Sequence, residues 1–477
     1  MSSQIIDNVN LLKKYTKPLV FDYTEYPTKA FWDEGNTSIT YEKALEDWLV
    51  NQNGGENSLF YVHTPFCEQL CYFCLCSKEI TKDYEKVKDY LYNVLFKEID
   101  MLVTLFKKIG KAPSFKEIYF GGGSPTYYKD PEFKALKEKM GTLIDYSKID
   151  SWTVEVDPRR VDTNKLKFYH SQGVNRLSFG IQDFDLGVQK EINRIQTPEL
   201  VDELLTKEIR DLFPVINFDL LVGLPRQTIE TFERTIDEVI KLKPSQLQTM
   251  YVHYKPDTRR YMTNMVKNVP LPDFYDRRAI FLAAKNKLTD GGYSRAGFES
   301  YALPDDELTY AIENKNAYYN SLGTQKGGAN NFVAVGSSAH SSFGEYYFQN
   351  FYERNLYTDA VLKGEFPVYR GFKLNEEDNL RRHIIKTIRT YFKINYNDYE
   401  KSLDKPFVEH FKNEIELLKV AEKDGILKLS NDGFVLTDLG QHLSPHICEI
   451  FDAYNSREVF NENIPIFENI SINSANR

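Results

Sequence analysis

Four of the five cysteines in this 477-residue chain fall within one run of ten, Cys67-Glu68-Gln69-Leu70-Cys71-Tyr72-Phe73-Cys74-Leu75-Cys76, directly after an apolar stretch from Leu59 to Val62. Three thiolates spaced x3 and x2 can wrap one corner of a cubane and ligate three irons of a [4Fe–4S] cluster, which leaves the fourth iron open to a small molecule. Cys67, Cys71 and Cys74 have that spacing. Zinc is the competing reading, but zinc knuckles usually draw on two separated pairs of the form C-x2-C. No second pair exists, because the remaining cysteine is the distant Cys448. The spacing favours the cluster.

Other residues downstream have the chemistry to hold a ligand beside such an iron. Phe120 is followed by Gly121, Gly122, Gly123, Ser124 and Pro125. Glycines without β-carbons let backbone amides approach a ligand closely, although a glycine triplet alone is also ordinary turn material. Glu155 brings a carboxylate that can accept from two hydroxyl donors. Asp157, with Pro158 after it, reads better as a helix cap or surface acid. Arg194 can pair with a carboxylate through two N–H groups, while an isolated arginine is more often a solvated ion-pair partner. Asp219 lies within the apolar run from Phe218 to Val222, where an unpaired buried charge is costly and calls for a ligand or a base. His340 has a near-neutral pKa suited to a proton carrier or ligand, and a hydrogen-bonded residue in a tight loop is an equally good account of it.

The elements that must position these residues alternate regularly. Strands are expected at Leu59–His63, Glu117–Phe120, Trp152–Val156, Arg176–Gly180, Asn217–Val222 and Gln246–Val252, each bounded by turn residues. Between the last two, Ile229, Phe232, Ile236, Val239 and Ile240 form the stripe of a helix packed on a sheet, with Thr228 as its cap. Six βα units imply a parallel, right-handed, curved sheet with chemistry at the C-terminal strand ends. Near the C-terminus Phe407, Phe411, Ile415 and Leu418 mark a helix. Ile426–Leu429 and Phe434–Thr437, joined through Asn431-Asp432-Gly433, mark a hairpin, so helix and hairpin together resemble a winged helix.

Composition restricts the partners. Lys and Arg number 60 against 69 Asp and Glu, a net charge of −9 that argues against a general nucleic-acid or anionic-membrane binder. The absence of a long apolar run and the polar first ten residues support neither a transmembrane span nor a signal peptide. Clustered thiols without a scattered disulfide framework point to the reducing cytoplasm. The aromatic share of 14% is compatible with a flat hydrophobic substrate but is equally explained by core packing.

The run Tyr61-Val62-His63-Thr64-Pro65-Phe66 followed by C-x3-C-x2-C, with Phe73 before the third cysteine, resembles the signature of radical S-adenosylmethionine (SAM) enzymes. The added Cys76 resembles the oxygen-independent coproporphyrinogen III dehydrogenases, as do Tyr23-Thr24-Glu25-Tyr26-Pro27-Thr28 and Ala302-Leu303-Pro304-Asp305-Asp306-Glu307-Leu308. The resemblance implies an α/β fold: a partial (βα)6 TIM-like barrel at 56–300, an N-terminal arm at 1–55, a substrate and second-SAM loop region at 301–370 and a mostly helical, winged-helix-like domain at 371–477. It assigns the cluster to Cys67, Cys71 and Cys74 and leaves Cys76 without a ligand role. It implies SAM contacts from Tyr61, Phe73, Gly121, Gly122, Gly123, Ser124, Glu155, Gln182, Arg194 and Asp219, with Asn320 and His340 near a second SAM if two bind. Tyr61 and His340 are the catalytic candidates.

The implied reaction is one-electron cleavage of SAM to a 5′-deoxyadenosyl radical that takes hydrogen from a propionate β-carbon of a tetrapyrrole, with loss of an electron and CO2 to leave a vinyl group. The implied partners are that small molecule and a flavodoxin- or ferredoxin-type reductant, with the protein a monomer that binds neither nucleic acid nor membrane. Three positions depart from the family pattern: Ser300 replaces a His, Asn320 a Gln and His340 an Ile. They favour one alternative, a class C radical SAM methyltransferase or related haem-modifying enzyme; a haem-trafficking protein without turnover is a second, and the SAM set from Glu155 through Asp219 speaks against it. Arg159, Arg160, Lys255, Arg259 and Arg260 follow barrel strands and are possible partners for substrate carboxylates.

Overall fold

Runs rich in β-branched and aromatic residues build one sheet, and their apolar faces on both sides mark it as covered by helices. In the computed structural model, which describes residues 23–35, 38–327 and 330–454, six parallel strands succeed one another in chain order. They are β1 (Ser58–Thr64), β2 (Phe115–Gly122), β3 (Ser151–Val156), β4 (Arg176–Gln182), β5 (Val215–Val222) and β6 (Gln246–Tyr251). The strands expected from the sequence all form, most of them one or two residues longer. Asp22 and the earlier arm, and residues 455–477 of the expected C-terminal domain, lie outside the described residues.

The sheet continues beyond the six units at both ends. Past β6 lie the short antiparallel strands β7 (Ser294–Arg295) and β8 (Ser300–Ala302). On the other side β9 (Asn331–Val335) pairs parallel with β1, Val62 opposite Val335, and antiparallel β10 (His340–Phe343), β11 (Tyr346–Asn350) and β12 (Val368–Lys373) follow it. Thus 301–370, expected as loops, carries strands that extend the barrel wall and a separate hairpin, Ala317–Asn320 with Gly323–Lys326.

Helices cover the outer face. Helix α1 (Phe96–Ile109) buries Ile99, Leu102, Leu105 and Phe106, spaced at three and four residues, and ends at Gly110 in the left-handed conformation that glycine tolerates. Helix α2 (Ile229–Leu242) starts at a capping box in which Thr228 accepts from the Thr231 amide, as its sequence leads one to expect. Helix α3 (Glu376–Tyr391) opens the C-terminal region, where Lys393–Asn395, Gly433–Leu436 and Leu427–Ser430 form a small antiparallel sheet. The helix expected across 407–418 is broken at Phe411, so that Phe407–His410 and Lys412–Lys423 are separate. The buried Phe411 ring packs on Phe407 at 4.7 Å and on Phe451 at 5.6 Å, and this aromatic packing outweighs continuity of the helix.

The arm is tied into this frame from two sides. Tyr23 donates to Asp452 at 3.0 Å, and Trp32 stacks on Tyr347 of β11 with centroids 5.0 Å apart. Among the described residues no helix is long and apolar enough to cross a membrane.

Candidate active site at the mouth of the barrel

The cysteine loop leaves the C-terminal end of β1 and is pinned on both flanks. Tyr72 donates its amide to Ile192 O at 3.0 Å, Asn193 Nδ2 donates to Leu70 O at 2.7 Å, and Tyr261 and Lys78 donate to Cys74 O at 2.5 and 3.3 Å. Tyr72, Phe73 and Leu75 pack against an apolar group that includes Ile192, Leu221, Leu224 and Met262. So held, Cys67, Cys71 and Cys74 all line one cavity of about 600 Å³. Among the described residues no three His, Cys, Asp or Glu side chains converge as one mononuclear metal ion requires. Cluster thiolates instead bind different irons, so three thiols spread around a shared cavity suit that group.

Charge surrounds these thiols unevenly. Arg159 and Arg194 donate to Cys71 Sγ at 3.7 and 3.6 Å. Burial, and then the neighbouring Cys74, pushes Cys67 up to about 12. The Cys76 thiol hydrogen-bonds Cys74 and holds it well below the usual thiol range. Burial also works against ionisation of Asp157, yet Arg194 and Arg159 bring it down to about 2. Its ion pairs to Arg159 (2.7 Å) and Arg194 (3.4 Å) give Asp157 a part in the site besides the helix-capping bond to the Arg159 amide, which the sequence led one to expect.

The glycine run lies across the same cavity. Gly123 donates to Thr64 O at 2.6 Å and Ser124 to Phe66 O at 2.8 Å, which ties the glycine loop to the start of the cysteine loop. A β-carbon at Gly121 would lie 2.7 Å from Glu155 Oε1 and 2.9 Å from Tyr61 Oη, and one at Gly122 would lie 2.5 Å from the His63 ring. Gly122 also donates its amide to Glu155 Oε2 at 3.1 Å. Glu155 is pushed up to about 8, first by burial and then by Asp219. Asp219 accepts from Ser178 at 2.9 Å and Asn217 at 2.8 Å, and burial raises it too. Neither carboxylate has an ion-pair partner among the described residues, which suits neutral donors such as hydroxyls.

Gln182 and Arg194 complete the far wall. A bulge between Gly180 and Gln182 puts Gln182 at φ 68°, with its buried Oε1 unpaired. Arg194 Nε and Nη2 donate to Gly180 O at 3.1 and 2.6 Å, which holds the guanidinium toward Cys71. Asn320, at the tip of the hairpin, accepts from the Leu322 amide at 2.7 Å while its buried Nδ2 has no partner. A ligand with a cationic and anionic end, ribose hydroxyls and a base has the complementary groups, and the open glycine face leaves room for it. The donor set therefore fits a cluster together with SAM.

Tyr61 and His340 lie elsewhere. They line a second cavity of about 670 Å³, which shares Leu75, Cys76, Gly122, Glu155, Ser321 and Leu322 with the first. His340 is committed to Glu25 of the arm at 2.9 Å, and burial lowers its pKa despite that partner. His63 faces the same space, between Ser77 O at 3.0 Å and Ser338 Oγ at 3.3 Å, with burial bringing it down to about 4. Its placement two residues from Tyr61 on one strand was the signal for it. Glu98 of α1 gave no such signal. Buried behind the mouth, it accepts from Gly336 N (2.8 Å) and Asn350 (2.9 Å) and so holds the loop after β9. Of the other candidate cations, Arg160 is paired with Glu68 at 2.5 Å, and Arg260 is exposed.

Residues 61–239 match the Radical SAM superfamily, and residues 374–443 match the HemN C-terminal domain. The chain is 33% identical over 439 residues to the oxygen-independent coproporphyrinogen III oxidase of Pseudomonas aeruginosa, covering 91% of this chain and 93% of the relative. It is 32% identical to the enzyme of the same name from Escherichia coli K12, over 95% of this chain and 97% of the relative. A solved structure of Escherichia coli coproporphyrinogen III oxidase (HemN), described as a radical SAM enzyme, superposes with a TM-score of 0.82 at 32% identity, covering 91% of this chain and 97% of the other.

Proposed function

The chain belongs to the oxygen-independent coproporphyrinogen III oxidase family of radical SAM enzymes, and on that premise we propose that it converts propionate side chains of coproporphyrinogen III to vinyl groups in haem biosynthesis. The observation that carries this reading is the convergence of Cys67, Cys71, Cys74, the glycine loop, Glu155, Gln182, Arg194 and Asp219 on one cavity. A [4Fe–4S] cluster and SAM held by these residues would supply, with one electron from an external reductant, the radical chemistry by which a propionate loses hydrogen and CO2 to leave a vinyl group, the substrate's electron going to an external acceptor.

The residues of the chain bind, orient and exclude water. Cys67, Cys71 and Cys74 would hold three irons, with Arg159 and Arg194 donating to the Cys71 sulfur. Gly121 to Ser124 give the SAM amino group an approach free of β-carbons. Arg194 takes the carboxylate, Glu155 and Asp219 accept from ribose hydroxyls, and the orphaned Gln182 Oε1 accepts a further donor. Phe73 and Leu75 exclude water from the reacting end. Tyr61 and His340 face the substrate rather than the irons, because they line the second cavity. The electron donor is a flavodoxin- or ferredoxin-type protein and the setting is the cytoplasm, consistent with thiols that must stay reduced. The protein acts as a monomer.

The decisive test is anaerobic turnover of coproporphyrinogen III by the reconstituted protein with SAM and reductant. Loss of two CO2 per substrate supports the reading. Formation of a methylated product with S-adenosylhomocysteine would replace it with a methyltransferase, and an intact cluster that never cleaves SAM would favour trafficking.

Two further outcomes are expected. With its carboxyl at about 8, Glu155 is mostly protonated at neutral pH and must give up that proton to accept from two hydroxyls. SAM affinity should therefore strengthen as pH rises from about 6.5 and level off above about 8, by at most tenfold per pH unit. Isothermal titration of Glu155→Gln should show a flat profile across the same range. In the ligand-free protein the sign reverses. The stability this group contributes is full below the ordinary glutamate value of 4.5 and is lost as pH climbs through about 8. The second outcome concerns Cys76: Cys76→Ser should keep full iron content, and a loss of iron would make it a ligand.

A further inference from the structure

The second cavity is lined by two arginines that form no ion pair among the described residues. Arg370, on β12, is fixed by donating from Nε to Gln349 Oε1 at 2.9 Å and from Nη1 to Lys29 O at 3.0 Å, with its guanidinium beside the Trp32 and Tyr369 rings. Arg259, after β6, donates from its side chain to the neighbouring Thr258 O at 3.1 Å and to no other residue among those described. Both line the cavity, from opposite ends of the sheet, and neither forms an ion pair among the described residues. The acids nearby have other partners: Glu155, on the wall shared with the first cavity, accepts from the Gly122 amide at 3.1 Å. Glu34 accepts from the Tyr369 hydroxyl at 2.5 Å, while Glu25 is paired with His340 at 2.9 Å and Lys29 at 3.5 Å.

A guanidinium whose Nε and Nη1 donate to neutral acceptors keeps its Nη2 donors for an anion, and a carboxylate oxygen is a strong acceptor for them. Half-buried positive charges without a partner are costly to maintain, so their presence in a roomy cavity points to an anionic ligand. The volume of about 670 Å³ also lies within the usual range for ligand pockets, roughly 300–1,000 Å³.

We propose that Arg370 and Arg259 form a carboxylate clamp that anchors the propionates of the tetrapyrrole while another propionate of the same molecule reaches the cysteine-lined cavity. This rests on the function proposed above. The chemistry of that reaction makes such an anchor useful, because two of the four propionates remain carboxylates from substrate to product. The shared wall of Cys76, Gly122 and Glu155 places the clamp next to the reacting centre but outside it.

The test is steady-state kinetics and SAM binding for Arg370→Gln, Arg259→Gln and the double variant, each checked for iron content and for the cluster's electron paramagnetic resonance signal. Removal of one charge-assisted contact is expected to raise KM for coproporphyrinogen III about 10- to 100-fold, with kcat, iron content and SAM affinity close to wild type. Arg370→Lys should recover part of the loss. An unchanged KM in both single variants and the double overturns the clamp. So does a loss of SAM affinity with KM for the tetrapyrrole unchanged, which would assign the cations to the carboxylate of a SAM molecule. If the wild-type protein itself does not turn over coproporphyrinogen III, the proposed function fails rather than the clamp alone. Because Arg259 lies on a surface loop, its variant keeps the test informative even if Arg370→Gln misfolds.

Discussion

Cys71→Ala is expected to lose its cluster and with it all SAM cleavage, leaving activity at the background of the assay. Of the three thiols, Cys71 is the one buried between two guanidiniums, with Nη atoms of Arg194 and Arg159 at 3.6 and 3.7 Å from its sulfur. Those donors fix the sulfur's position at the cavity wall. A methyl group there removes a ligand and leaves the buried Arg194 and the half-buried Arg159 facing each other across a gap, with Asp157 paired to both. Iron analysis and anaerobic SAM cleavage read the result. Because Cys76 is close enough to hydrogen-bond Cys74, a stand-in ligand is conceivable chemistry, and Cys71→Ala/Cys76→Ala closes that route. A full iron complement with SAM cleavage in the double variant would show that Cys71 is not a ligand.

The cysteine cluster and the six parallel strands were legible because both are local patterns. A strand read from its own residues forms where it is read when its neighbours in the sheet are also its neighbours in the chain, as for β1 to β6. The capping box at Thr228 is local in the same sense. What sequence reasoning missed depends on pairings across long separations. The five residues Asn331–Val335 are too short for periodicity to mark, and their parallel partner β1 lies more than 250 residues earlier. The Glu25–His340 ion pair between arm and β10 is equally remote. The sequence around His340 allows a proton carrier, and only the packing of the arm on the sheet commits it to Glu25. The Phe411 break was hidden for another reason, since a single aromatic residue on the apolar face satisfies the helical pattern that its packing then interrupts. Arg370 carries no motif. Only the sheet extension brings it to the same cavity as Tyr61.

Gly122→Ala should abolish tight SAM binding without removing the cluster. At this position φ is 102°, a left-handed backbone that costs an L-residue roughly 1–2 kcal/mol. The added methyl would also lie 2.5–2.7 Å from three atoms of the His63 imidazole. That ring is wedged between Ser77 O and Ser338 Oγ, so it has little room to withdraw. The alternative is movement of the glycine backbone, which would lengthen the Gly122 bond to Glu155 and spoil the cradle. Gly110→Ala separates the two effects. It has a similar conformation, φ 78°, at the end of α1, with nothing within 4 Å of the added β-carbon. Both variants should show the backbone cost as a lower melting temperature, and overpacking adds roughly 1–3 kcal/mol at Gly122 alone. SAM affinity should fall about 100-fold or more in Gly122→Ala, equivalent to roughly 2.7 kcal/mol or more of lost contact, and stay at the wild-type value in Gly110→Ala. The cysteine loop is bonded to the glycine loop through Gly123 and Ser124 rather than Gly122, and its other anchors lie at Ile192, Asn193 and Tyr261, so iron content should survive. Unchanged SAM affinity in Gly122→Ala would mean that SAM does not lie against this glycine loop.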